Sequence, residues 1–139
     1  ARVLVCAGAD DDVDNLTSAR RDFVQRAIAA LNQLVETPYG TRHKDFFLEN
    51  GGLCFAANSD KTSFAVTLQE GDEFIETVRD HQFHLKEGDH TKEKNTARLY
   101  FCDFMHRPKG ASEEARFVAI LYVGPHIEGK GLSRTVILP

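Results

Sequence analysis

The chain has no tryptophan, one methionine, four prolines and only three cysteines among its 139 residues. It also lacks any apolar run near the ~20 residues that cross a bilayer as a helix, which excludes a membrane-spanning helix. There is no basic excess: 17 Lys and Arg stand against 21 Asp and Glu, a formal net charge of −4. A chain-wide nucleic-acid footprint is thereby excluded, and affinity for RNA or DNA would need a local patch. Cys6, Cys54 and Cys102 follow no metal-ligand spacing and allow at most one intramolecular bridge, so small buried hydrophobes are the simpler reading. HExxH, CxxC, GxSxG and a phosphate-cradling glycine loop are all missing, and no cofactor is expected. The run Asp10-Asp11-Asp12 lacks the alternation and distal Glu of a calcium loop and reads as a solvated turn.

What is present fits one domain, 1–139, with 42% hydrophobic and 27% charged residues. The organising stretch runs from Ala97 to Leu138. ARLYFCDFMHR and RFVAILYVG are rich in aromatic and β-branched residues, and a loop with Pro108, Gly110 and Ser112 joins them as a hairpin. Phe117 to Val123 is apolar throughout, which predicts a central strand covered on both faces. Upstream, Val3 to Cys6 reads as a first strand. Leu16, Ala19, Phe23, Ala27, Leu31 and Leu34 recur at helical spacing, predicting a helix from about Asn15 to Glu36 that Thr37-Pro38 stops.

Further strands are expected at Leu53–Ala56 and Phe64–Leu68, joined as a hairpin through Ser59–Thr62. After a turn at Glu70-Gly71-Asp72 comes one long edge strand, Phe74–Leu85, then the charged loop Lys86–Thr96. The fold class implied is α+β, one long helix packed on a twisted antiparallel β-sheet. Its core should hold Phe23, Ala27, Leu31, Leu34, Leu53, Phe55, Phe64, Leu99, Phe101, Val118 and Ile120. The chain opens on Ala1 and not on Met, which suggests a removed segment, either a signal peptide or another upstream stretch.

Six histidines are the notable polar excess: His43, His81, His84, His90, His106 and His126. His81 and His84, three apart on a strand, point to opposite faces and make a poor metal pair, so no metal site is expected. Neither Cys54 nor Cys102 has the local signature of a nucleophile. A metal-free set of histidines and an arginine remains, with His43, Arg98 and His126 at strands or strand ends. Such a set suits RNA phosphodiester cleavage: a base takes the 2′-hydroxyl proton, a cation steadies the phosphate, and an acid protonates the leaving oxygen. Ordinary surface residues are the plainer alternative.

Several segments resemble, in order, the small secreted fungal ribonucleases, both the guanine-specific enzymes and the ribotoxins. HKDFFLENGGLCF is similar to their Pro-His-x-Phe-x-Asn-x-x-Gly stretch, and SFAVTLQEGDEF to the next strand and its Asp-Gly turn. ARLYF resembles their Ala-Arg-Val-Ile-Tyr strand, and RFVAILYVGPHIEGKGLSRTVIL their closing pair. The likeness spans about two thirds of the chain. It implies a microbial ribonuclease-like fold, with the first catalytic histidine at His43, the phosphate-binding arginine at Arg98 and the general acid at His126. Arg107 and Lys130 would join Arg98 in holding RNA phosphate.

The departures from that pattern bear on activity. The strand that should carry the catalytic glutamate reads SFAVTL, and Glu70 falls in the turn after it. His126 follows Gly124-Pro125, Tyr39 and His43 are spaced too widely, and Cys6 lacks its usual terminal mate. The resemblance therefore implies a secreted, monomeric ribonuclease-like effector of a plant-pathogenic fungus, binding RNA weakly or a host or cognate protein, with cleavage weakened or lost. One alternative is a small acidic partner-binding module, such as an antitoxin or immunity protein, working through Asp72–Lys94. Another is an active metal-independent ribonuclease using His43, Arg98 and His126.

Overall fold

The computed structural model describes residues 2–38, 40–57, 64–79, 83–86, 97–125 and 132–139, the side chains of 19, 78 and 79 excepted. In chain order these form β1 (Val3–Val5), α1 (Ala9–Asp14), α2 (Ser18–Leu34), α3 (His43–Glu49), β2 (Cys54–Ala57) and β3 (Phe64–Glu70). There follow β4 (Glu73–Arg79), β5 (Phe83–Lys86), β6 (Arg98–His106), β7 (Ala115–Gly124) and β8 (Leu132–Leu138). The architecture is mixed α+β, with two mixed sheets. A five-stranded sheet has the order β1-β7-β6-β5-β2, and a three-stranded sheet the order β4-β3-β8.

The apolar run of β7 explains the layering. A strand with no polar face must be covered on both sides. One side of β6 and β7 presents Leu99, Phe101, Val118, Ile120 and Val123 to the helices, where Phe23, Ala27, Leu31 and Leu34 of α2 and Phe47 of α3 close the first core. The other side presents Tyr100, Cys102, Phe104, Phe117, Ala119 and Leu121 to Phe64, Val66 and Leu68 of β3 and Val136 and Leu138 of β8. Helices, large sheet and small sheet thus form three layers. Between Tyr100 and Phe101 the β6–β7 register skips Leu121, a bulge that re-aims the end of β7.

Several expectations hold: the β6–β7 hairpin, central β7, the β3–β4 hairpin about Gly71, and a helix within the predicted span. The single antiparallel sheet does not. β1 runs parallel to β7 and β8 runs parallel to β3, so β8 leaves β7 for the small sheet. β2 and β3 do not pair as a hairpin but lie in different sheets, and the expected long strand Phe74–Leu85 divides into β4 and β5, one in each sheet. A period-two pattern fixes which face is buried but not the partner, and two sheets sharing one core leave that choice to the tertiary structure.

Helix α2 is not alone either. Asp10–Asp12 open α1, where acids in a first turn suit the positive end of the helix dipole. His43–Glu49, to which no element was assigned from sequence, is α3, ended by Gly51 and Gly52 at φ 119 and 62. A Cβ on Gly51 would meet Leu53 at 3.2 Å in an already left-handed conformation, so this stop requires glycine.

Candidate functional site

Of the residues singled out in sequence, His43 has the most developed surroundings. As the first residue of α3 it points across the large sheet, and its Nε2 lies 2.8 Å from Asp103 Oδ2. Arg116, at the start of β7, donates from Nε to Asp103 Oδ1 at 2.9 Å and from Nη2 to Oδ2 at 2.5 Å. The side chains of Arg116 and Asp103 are 3% and 2% exposed, and that of His43 is 19%. Arg116 Nη1 also donates to Thr37 Oγ1 and Pro38 O, each at 3.0 Å, and reaches Leu34 O at 3.4 Å. One guanidinium therefore ties the end of α2 to β7 and, through Asp103, to β6 and the start of α3. Arginine suits the task because its planar fork of donors serves a carboxylate and several carbonyls at once.

Burial would raise the Asp103 carboxyl. The hydrogen bonds from Arg116 and His43, together with the charges of both partners, win and hold it below the ordinary carboxylate value. An ionised Asp103 accepts from Nε2–H of His43, which leaves Nδ1 as the ring nitrogen turned away from the carboxylate. Phe55 and Phe83 lie 5.0 and 4.9 Å from the imidazole centroid, with Phe47 and Phe101 beyond. The ring of His43 is thus held between a buried carboxylate and phenyl rings of α3, β2, β5 and β6.

Arg98 does not join it. Along β6, Leu99 and Phe101 face the helices and Tyr100 and Cys102 the small sheet, so alternation puts Asp103 and His43 on one face and Arg98 on the other. Arg98 is buried, 8% exposed, and pairs with Gly124 at the far end of β7. Arg107 is exposed just past the other end of β6, nine residues from Arg98, which at ~3.3 Å per strand residue is about 30 Å. The proposed phosphate-binding pair is therefore not gathered. His126 and Lys130 lie outside the described residues, as do His81 and His90.

His84 is buried against Tyr100 at 4.9 Å, not at a working surface. Glu70 is not in a turn but ends β3, and its Oε1 lies 3.6 Å from Nε2 of His106 across the two sheets. No cluster of three or more potential metal ligands forms among the described residues. No helix there is long and apolar enough to cross a membrane.

A cleft of about 410 Å³ lies between Asn15, Thr17 and Arg20 at the start of α2 and Tyr122, Gly124 and Pro125 at the end of β7. Asp12 in its wall is held by Arg134 and by the amide of Val123, the latter at 3.2 Å, and Tyr122 donates to Pro125 O at 2.9 Å. The polar groups there serve mainly to brace α1 against β7 and β8.

No family model, curated protein or solved structure matches the chain.

One surface remains, and sequence reasoning touched only part of it. Phe74 and Ile75 on β4 and Ile137 on β8 are 63%, 43% and 56% exposed. Ile137, Gln69 and Phe74 are register partners across the small sheet, and next to them Thr135, Thr67 and Thr77 form a second row. This outer face is uncharged along both rows. The β4 edge beside it is acidic, with Asp72, Glu73 and Glu76 exposed. Sequence reasoning missed Asp103 and Ile137: a carboxylate inside LYFCDFMH was the visible signal for the first, and nothing marked the second.

Proposed function

We propose that this protein acts by binding, holding a partner protein against the outer face and free edge of the small sheet, and that His43 is a structural residue. The observation that carries this is the exposed Phe74–Ile75–Ile137 patch, next to a strand edge that also exposes Asp72, Glu73 and Glu76. Large apolar side chains on an edge strand invite association, and proteins usually blunt such edges with lysine, proline or a cover. The acidic edge suits a partner that is basic as well as apolar. This reading stays with the acidic partner-binding module and draws its working surface in at β4.

To test it, a displayed library of ten-residue peptides is panned against the protein and the capture repeated on variants. Binders should be lost on the double variant Phe74→Asp/Ile137→Asp. They should persist on Leu48→Asp, which alters an equally exposed apolar residue on α3. Binders indifferent to the first pair, or no enrichment at all, would contradict the proposal.

A second reading keeps the ribonuclease-like secreted effector. It is supported by the β6–β7 register, which sets Arg98 opposite Gly124, two residues before His126. The burial of Arg98 and the opposite-face placement of His43 weigh against cleavage in that reading, leaving weak, salt-sensitive RNA binding. Arg98→Ala should then weaken RNA binding more than Arg134→Ala does. Robust cleavage abolished by His126→Ala would instead restore an active enzyme.

A further inference from the structure

The two sides of β4 differ in chemistry, and the difference specifies what would lie beside it. Among the described residues β4 pairs with β3 alone, so its other edge presents backbone N–H and C=O groups with no strand to take them. Glu73 pairs with Glu70 and Glu76 with Leu68, which puts both glutamates on the side that Leu68 and Leu138 face. Phe74 pairs with Gln69 and Thr77 with Thr67, on the outer side with Ile137. The register shift between Leu68 and Gln69 leaves Ile75 without a partner on β3. Glu73, Phe74, Ile75 and Glu76 are all exposed, and none belongs to either core cluster. From Glu73 to Glu76 the strand is therefore held by its ladder and not by burial.

We propose that β4 is an acceptor strand: an extended segment of a partner protein, alternating Lys or Arg with apolar residues, adds to its free edge as a further strand. The inference rests on the docking reading above and names the partner's chemistry. With Ile75 bulged out of register on β4, side chains of an added strand alternate in step with Glu73, Phe74, Glu76 and Thr77. Those on one side meet Glu73 and Glu76 and are basic; those on the other meet Phe74 and Thr77 and are apolar. Main-chain hydrogen bonds to the edge supply affinity, and the charge alternation selects the register. A segment with acids at the first set of positions meets like charge and is rejected.

The test uses the full chain and a capped eight-residue peptide alternating Lys and Val, followed by fluorescence anisotropy. The peptide should bind, an alternating Glu–Val peptide at least tenfold more weakly, and a blocked peptide of four Lys then four Val likewise. Two further versions carry N-methyl groups on alternate amides, one in each phase. One phase should abolish binding by removing the donors that face β4, while the other stays within about twofold of the parent. If the parent does not bind, or the blocked peptide binds as well, the alternating-strand inference falls. If both N-methyl phases bind like the parent, the peptide sits on the face and not the edge; the inference fails while the docking reading stands. If Phe74→Asp, checked by thermal melting to be folded, binds the parent unchanged, the docking reading itself fails.

Discussion

Asp103 carries the most consequence of any single residue. Its carboxylate is buried, ionised and shared by Arg116 and His43, and those two reach two helix ends and two strands. Removing one partner from a buried ion pair leaves an uncompensated charge, which typically costs ~3–5 kcal/mol. Asp103→Asn should lower stability by that order in urea unfolding; a loss well under ~1 kcal/mol would mean that the network does not hold the helices. Because its folded carboxyl is held below the ordinary 3.8, its contribution is complete above that pH and disappears as pH falls through the lower folded value. The gap between wild type and Asp103→Asn should accordingly be flat from neutral pH to about 5 and close below 4. Burial pushes the thiols of Cys6 and Cys102 up to about 12, so they stay protonated. An alkylating reagent at neutral pH should label half-buried Cys54 first and the other two only on unfolding, as read by mass spectrometry. The charged residues inside the two apolar strands were visible in sequence. Their meeting with His43, 60 residues from Asp103, was not, because nothing local encodes so distant a contact.

Helix α2 is the element the sequence states most clearly. Its three- and four-residue stripe became the buried Phe23, Ala27, Leu31 and Leu34, and the structure trims the predicted ends to Ser18–Leu34. Phe23→Ala or Leu31→Ala should each cost ~2–5 kcal/mol in denaturant unfolding, since both side chains are enclosed. A cost below ~1 kcal/mol at either site would contradict the packing described. Strands β6 and β7 were equally legible, and so were the inward residues of β3. What the strands could not disclose was partnership. Phe64, Val66 and Leu68 alternate cleanly, yet that pattern fits an antiparallel neighbour as well as the parallel β8 they have. The seven residues of α3 are too few for a helical period to stand out, so no helix was expected there.

At the scale of the molecule, the three layers separate the two candidate activities. The histidine-based site expected from sequence is divided between the faces of the large sheet, with His43 committed to a buried network beneath the helices. The small sheet closes the other core with one face, and on its other face turns two uncharged, partly apolar rows outward. The proposed work of the protein lies on β4, and the central claim of that proposal is that the edge of this strand is free to accept a partner. Amide hydrogen exchange by NMR on the unliganded protein addresses that directly. The β4 amides should fall into two alternating groups, those bonded to β3 exchanging slowly and those on the outer edge at rates close to an unprotected chain. Uniform protection along β4 would show that another part of the protein already covers the edge and would contradict the account.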